Sequence, residues 1–139
     1  MHSLDYIHRD IKPENFLIGN SPKVGTIYAI DFGLSKRFVN PKTGEHIEHK
    51  KTNFAGTARY CSKNAHNKYQ QSRKDDLEAI GNILVYFYNK GHLPWMIAEG
   101  SEHYGSPRKL KNKTNTDTLC KDVPYAIQAF MTHVDSLKF

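Results

Sequence analysis

The sequence predicts a mainly α-helical protein with one small β-hairpin, an α+β fold. Two short apolar, partly β-branched runs near the N-terminus are separated by turn-forming residues. A long apolar helix pattern and an amphipathic C-terminal segment follow. The chain has 139 residues, the usual size of one domain, so we take residues 1–139 as a single unit.

The hairpin is predicted to pair residues 15–19 with residues 26–30 across a segment rich in Gly, Asn and Pro. From Leu34 to Tyr60 the chain is polar and shows no sustained period, which predicts a long loop. Residues 40–44 read N-P-K-T-G and predict a turn within it. Loops of this length are often functional.

The long helix is predicted to take N-terminal carboxylates from Asp75 and Asp76, to run from Leu77 through Tyr88, and to end at residues 89–91, N-K-G. Apolar residues occupy every face of the pattern, so we expect a central helix buried on all sides. A second helix is predicted between Pro124 and Phe139. For the basic stretch between the two helices we favour a solvated loop over an anion site. That stretch contains Arg108, Lys109, Lys111 and Lys113.

Composition and charge exclude several classes of protein. Twenty Lys and Arg against 14 Asp and Glu give a net charge of +6, which favours acidic or phosphorylated partners without indicating nucleic acid. Cys61 and Cys120 lack the spacing of a disulfide framework or a zinc site, which fits a reducing compartment. The longest apolar run, residues 83–88, is too short to span a bilayer. We expect a monomer in the cytosol or nucleus, with no nucleic-acid or membrane partner.

Two motifs carry chemistry: residues 8–15 read H-R-D-I-K-P-E-N, and residues 31–33 read D-F-G directly after the second predicted strand. A carboxylate such as Asp10 can accept the proton of a hydroxyl that attacks phosphorus. Magnesium prefers oxygen ligands, which the Asn15 amide and the Asp31 carboxylate can supply. Each residue could instead only cap a turn, but their combined order and spacing favour phosphoryl transfer.

These motifs resemble the catalytic loop H-R-D-x-x-x-x-N and the D-F-G of protein kinases. The resemblance implies ATP and Mg²⁺ as cofactors, with Asp10 as catalytic base and Asn15 and Asp31 as metal and cofactor ligands. Lys12 resembles the lysine that contacts the transferred phosphate in Ser/Thr kinases, which implies Ser or Thr acceptors in protein substrates. The fold implied is the large lobe of a kinase.

A closer resemblance, covering nearly the whole chain, is to the casein kinase I family. It is carried by residues 56–64 (G-T-A-R-Y-C-S-K-N), 71–78 (Q-S-R-K-D-D-L-E) and 93–95 (L-P-W). The resemblance implies substrates with acidic or phosphorylated segments around the accepting Ser or Thr.

The casein kinase I resemblance also implies roles for three residues outside the two motifs. Thr57 would bond near Asp10 as part of the catalytic site, and Asp76 would anchor the backbone of the catalytic loop. Arg59 would bind an anion beside the substrate groove, and a surface ion pair is the alternative for it.

Four positions depart from the casein kinase I pattern, so we leave the preference for phosphorylated substrates open. They are Lys63, Met96, Ile97 and His103. The chain contains no G-x-G-x-x-G and no small-lobe segment, so we expect an incomplete large lobe, a partial kinase domain that is inactive in isolation. Three hypotheses remain. We favour a catalytic segment of an active kinase over a non-catalytic binding module and a decayed copy.

Overall fold

The computed structural model describes residues 1–96 and 106–139, which form five α-helices and two two-stranded antiparallel sheets. This architecture agrees with the predicted α+β class. Helices α1 to α5 span Lys63–His66, Arg73–Tyr88, Pro107–Lys113, Thr116–Leu119 and Tyr125–Ser136. Strands β1 to β4 span Tyr6–Ile7, Phe16–Ile18, Ile27–Ala29 and Lys36–Arg37. Within the described ranges, none of the helices combines the length and apolarity that crossing a membrane would take.

The predicted hairpin is present as β2 and β3, each strand one residue shorter at both ends than the sequence pattern indicates. Its register pairs Leu17 with Tyr28. The predicted turn at residues 40–44 is also present, because the Gly44 N–H donates to the Asn40 carbonyl at 2.8 Å. The second sheet, β1 with β4, was not predicted, since two-residue strands are too short to show a period.

Helix α2 begins earlier than the sequence indicated. Its N-cap is Ser72, and Asp75 lies inside the first turn, where its carboxylate accepts the Ser72 N–H at 2.6 Å. Asp75 and Asp76 both lie in the first turn, so the prediction that they supply carboxylates at the helix N-terminus is confirmed, although the helix itself begins at Arg73. Asp75 closes the first turn from within, as in a capping box, and leaves Asp76 free to reach another segment.

The expectation that α2 is buried on all sides is wrong. One face packs closely on α5, where a Cβ built on Gly81 would lie 1.9 Å from Met131 Sδ. Another face is open, with Leu84 39% and Phe87 59% exposed. A helix that is apolar all round has no periodic signal to tell which face receives a neighbour. The open face and the hairpin line an apolar groove of about 350 Å³.

The prediction that the basic stretch is a solvated loop is also wrong. It forms α3 rather than a loop, and Lys111 is 1% exposed. Arg108, Lys109 and Lys113 lie at the surface, as predicted. The buried Lys111 contacts the main chain before α1, so one of the four basic residues of this stretch belongs to the core.

Candidate active site

Three side chains meet at the carboxylate of Asp10, a residue that is 7% exposed. The Thr57 hydroxyl donates to Asp10 Oδ1 at 2.7 Å. The Lys12 ammonium lies 2.9 Å from Asp10 Oδ2, and Asn15 Nδ2 donates to the same oxygen at 3.3 Å. The structure thus brings together Asp10, Lys12, Asn15 and Thr57.

The charge state of Asp10 follows from these contacts. Burial alone would raise the pKa of Asp10, but the hydrogen bonds from Thr57, Lys12 and Asn15 and the charge of Lys12 together lower it. The pKa of Lys12 is raised, chiefly by its hydrogen bond to Asp10 and also by the charges of Asp10, Glu14 and Asp31. At neutral pH the pair is therefore a carboxylate and an ammonium ion, a base with a cation directly beside it.

The hairpin holds Asn15 and Asp31 at its open end. The Ile30 N–H donates to the Asn15 carbonyl at 2.9 Å, which extends the β2–β3 pairing to the residue before Asp31. Asn15 Nδ2 also donates to the Asp10 carbonyl at 2.8 Å. Among the hydrogen bonds of the described residues, Asn15 Oδ1 takes part in none. This oxygen and the exposed carboxylate of Asp31, one oxygen of which accepts a backbone N–H, are of the type that binds magnesium.

Asp31 has a left-handed backbone, with φ of 58°, and its Oδ1 accepts the Gly33 N–H at 3.2 Å. Left-handed backbone is uncommon outside glycine, and it is frequent at functional sites. His8 Nε2 lies 3.3 Å from the Ile30 carbonyl, and the His8 ring lies 5.5 Å from the Phe32 ring. His8 thereby joins the start of the catalytic loop to the D-F-G segment.

Asp76 of α2 lies directly beneath the catalytic loop, residues 8–15, and is 3% exposed. Its carboxylate accepts the His8 N–H at 2.7 Å and the Arg9 N–H at 2.9 Å. A third hydrogen bond, at 2.9 Å, joins Asp76 Oδ2 to His2 Nε2. Arg9 has φ of 68°, so these contacts hold the loop in a backbone conformation that is costly for a residue with a side chain.

Gly56 allows the polar segment, residues 34–60, to lie close to the catalytic loop. A Cβ built on Gly56 would lie 2.4 Å from the Arg9 carbonyl oxygen, and its φ is 108°. Both facts require glycine at this position. The close approach places Thr57 within hydrogen-bond distance of Asp10.

Arg59 is exposed and contacts none of the four side chains at the Asp10 carboxylate in the described part of the chain. Its guanidinium lies 5.8 Å from the centre of the Tyr60 ring and 6.0 Å from that of Tyr86. Two aromatic faces therefore orient it two residues after Thr57. Ile97 and His103, two of the departures from the family pattern, lie outside the described residues, and Met96 packs against the core.

Sequence reasoning assigned no role to Lys111, Trp95 or Asn82, which bind the main chain just after Thr57. Trp95 belongs to the L-P-W motif that carries the family resemblance, but no local pattern shows that any of the three contacts this segment. The asparagine is one polar residue in an apolar helix, and the lysine is one of several in a basic stretch.

Comparison with known families agrees with this geometry. A family model described as the protein kinase domain matches residues 1–134. The match includes both motifs, the hairpin that aligns them, α2 and most of α5. This chain belongs to the protein kinase domain family.

Proposed function

We propose that this protein is a Ser/Thr protein kinase of the casein kinase I type, which transfers the γ-phosphate of ATP to a hydroxyl of a protein substrate. The observation that carries the proposal is the Asp10 carboxylate held by Thr57 and paired with Lys12. An ionised carboxylate between a hydroxyl donor and an ammonium ion suits a base that works beside a transferred anion.

In the proposed reaction, the oxygen of the substrate hydroxyl attacks the γ-phosphorus, and the bond from this phosphorus to the β–γ bridging oxygen breaks. Asp10 takes the proton of the hydroxyl, and ADP leaves. Lys12, 2.9 Å from the base, lies where its charge can stabilise the oxygens of the transferring group. Thr57 fixes the orientation of the carboxylate.

The oxygens of Asn15 and Asp31 fit magnesium, which usually binds proteins through one or two side-chain oxygens and completes its shell with phosphates and water. The free Oδ1 of Asn15 and the exposed carboxylate of Asp31 match this donor set. When bound, the metal neutralises charge on the β- and γ-phosphates. Asn15 would hold its oxygen in place through its two bonds to Asp10.

The acceptor and substrate class are proposed from two residues. Lys12 beside the base supports Ser or Thr as acceptor, and the exposed Arg59 supports an acidic or phosphorylated segment next to it. The casein kinase I type rests on the motifs around Thr57 and α2. Cys61 and Cys120 are free thiols, which supports the cytosol or nucleus as the location.

The test is phosphate transfer by the full-length protein from labelled ATP to peptides that carry one Ser, Thr or Tyr among aspartates. We expect transfer to Ser and Thr with Mg²⁺, reduced about 10²- to 10⁴-fold by Asp10→Asn. Asp117→Asn, which changes an exposed carboxylate on α4, serves as the matched control and should keep full activity. Transfer to Tyr alone would contradict the Ser/Thr assignment. Peptide binding without any transfer would favour the non-catalytic binding module.

A further inference from the structure

The segment after Thr57 is held by an unusual set of buried donors. Carbonyls of four successive residues, 58–61, each accept a hydrogen bond from a side chain of another element. The Lys111 ammonium donates to the carbonyls of Ala58 at 2.8 Å and Cys61 at 2.7 Å, with a longer bond to that of Arg59 at 3.3 Å. A single lysine therefore binds both ends of the segment.

Two further side chains complete the set. Trp95 Nε1 donates to the Arg59 carbonyl at 2.8 Å, and Asn82 Nδ2 donates to the Tyr60 carbonyl at 3.0 Å. The Lys111 ammonium lies 4.7 Å from the centre of the Trp95 ring, so the two main donors also contact each other.

The charge on Lys111 has no carboxylate partner, since none of the salt bridges in the described residues includes it. A buried ammonium is costly unless all its protons are hydrogen-bonded. The three carbonyls supply those bonds, and burial lowers the pKa of Lys111. The ammonium and the segment therefore depend on one another. If Lys111 is replaced by an apolar side chain, the Ala58 carbonyl loses the only nitrogen donor that it has among the described residues. The Cys61 carbonyl loses the shorter of its two bonds from nitrogen donors.

The segment has the active site at one end. Thr57, whose hydroxyl donates to Asp10, precedes Ala58 directly, and its carbonyl accepts the N–H groups of Tyr60 and Cys61 at 3.1 and 3.0 Å. Arg59 projects from the middle of the segment. A shift at the Ala58 or the Cys61 carbonyl would therefore move both the Thr57 hydroxyl and the exposed guanidinium.

We infer that Lys111 is a positioning residue for phosphoryl transfer: from the core, it fixes residues 57–61 so that Thr57 orients Asp10 and Arg59 faces the peptide substrate. This inference rests on the proposed kinase function and adds a residue of α3 to the support of its site. Lys111 itself touches neither Asp10 nor the exposed surface.

The experiment compares Lys111→Met with Lys109→Met and Lys113→Met, which change exposed lysines of the same helix. In the full-length protein we expect Lys111→Met to lower kcat/KM for an aspartate-flanked Ser peptide about tenfold or more, with little change in KM for ATP. The two controls should keep wild-type values. Trp95→Phe, which removes one hydrogen bond and keeps the ring, should give a smaller loss and guards against a variant that fails to fold.

A double-mutant cycle separates positioning from a general loss of stability. If Lys111 acts through Thr57, the losses caused by Lys111→Met and Thr57→Val should be clearly less than additive. Additive losses, or a Lys111→Met enzyme equal to Lys109→Met, would overturn the inference while the kinase function stands. If the wild-type protein transfers no phosphate, the kinase function fails. The inference is then judged by the peptide dissociation constant, which Lys111→Met must raise and Lys109→Met must leave unchanged.

Discussion

The Thr57 hydroxyl donates a 2.7 Å hydrogen bond to Asp10 although the two residues are 47 positions apart. This contact joins the polar segment to the catalytic loop. Thr57 binds one oxygen of the Asp10 carboxylate, and Lys12 lies at the other oxygen. One oxygen of Asp10 is thus oriented by a hydroxyl and the other is paired with a cation.

The Thr57 contact predicts a shift in pH dependence. Thr57→Val removes a hydrogen bond that lowers the pKa of Asp10, so that pKa should rise. In the proposed reaction Asp10 acts as the base only when it is ionised, so activity should be lost as the pH falls through its pKa. The acid limb of the pH–rate profile should therefore move to higher pH. At neutral pH we expect about a tenfold loss of kcat, as for a hydrogen bond to a charged group.

Thr57→Ser is the matched control, because it keeps the hydroxyl and deletes only a methyl group. It should retain the wild-type acid limb. An unshifted acid limb in Thr57→Val, measured across the same buffers, would mean that Thr57 does not influence the ionisation of Asp10.

Asp76 predicts a loss of both stability and activity. In Asp76→Asn one oxygen becomes an amide nitrogen, so either the His8 or the Arg9 N–H loses its acceptor. An unsatisfied buried donor costs about 1–3 kcal/mol. The free energy of unfolding in urea should fall by this amount, and phosphate transfer should fall as the loop relaxes. Asp122→Asn, at an exposed position, should change neither quantity, and equal effects of the two variants would contradict the anchoring role.

The sequence predicted the parts of the site whose signal is local. The catalytic loop, the hairpin and the D-F-G segment lie within residues 8–33, and turn formers and β-branched runs mark them in order. Nothing local connects this segment with Thr57 or Asp76. Their roles were inferred from the resemblance to casein kinase I, and they remain predictions that the variants above test.

Other features of the fold could not be predicted, because they depend on how the helices and loops pack against one another. Lys111 and its neighbours Lys109 and Lys113 have the same side chain, and only the docking of α3 buries one of them. In α2 an apolar residue occupies every face, so the pattern could not indicate that Leu84 stays exposed. Gly56 is one of nine glycines, and its close approach to Arg9 is visible only in three dimensions.

The approach of Gly56 to Arg9 predicts a difference between two glycine substitutions. Gly25 has φ of 89° and open space where a Cβ would lie, so Gly25→Ala should cost only the left-handed strain, about 1–2 kcal/mol. Gly56→Ala combines that strain with a Cβ placed 2.4 Å from a backbone oxygen. It should cost a further 1–3 kcal/mol, roughly, and reduce phosphate transfer. Equal urea midpoints for the two variants would rule out the close approach.

The one-sided burial of α2 predicts opposite outcomes for two adjacent residues. Ile83 is 7% exposed and belongs to the core, whereas Leu84 is 39% exposed on the open face. Ile83→Ala should lower the free energy of unfolding by about 2–5 kcal/mol, because it leaves a cavity. Leu84→Ala should change it by about 0.5 kcal/mol or less, as is usual at a surface position. The two variants remove the same number of carbon atoms from the same helix, and the helix propensities of Ile and Leu differ by less than about 0.7 kcal/mol, which is too little to produce the expected contrast. If Leu84→Ala in the full-length protein costs as much as Ile83→Ala, the apolar face is covered, and the groove beside the hairpin is an interior surface.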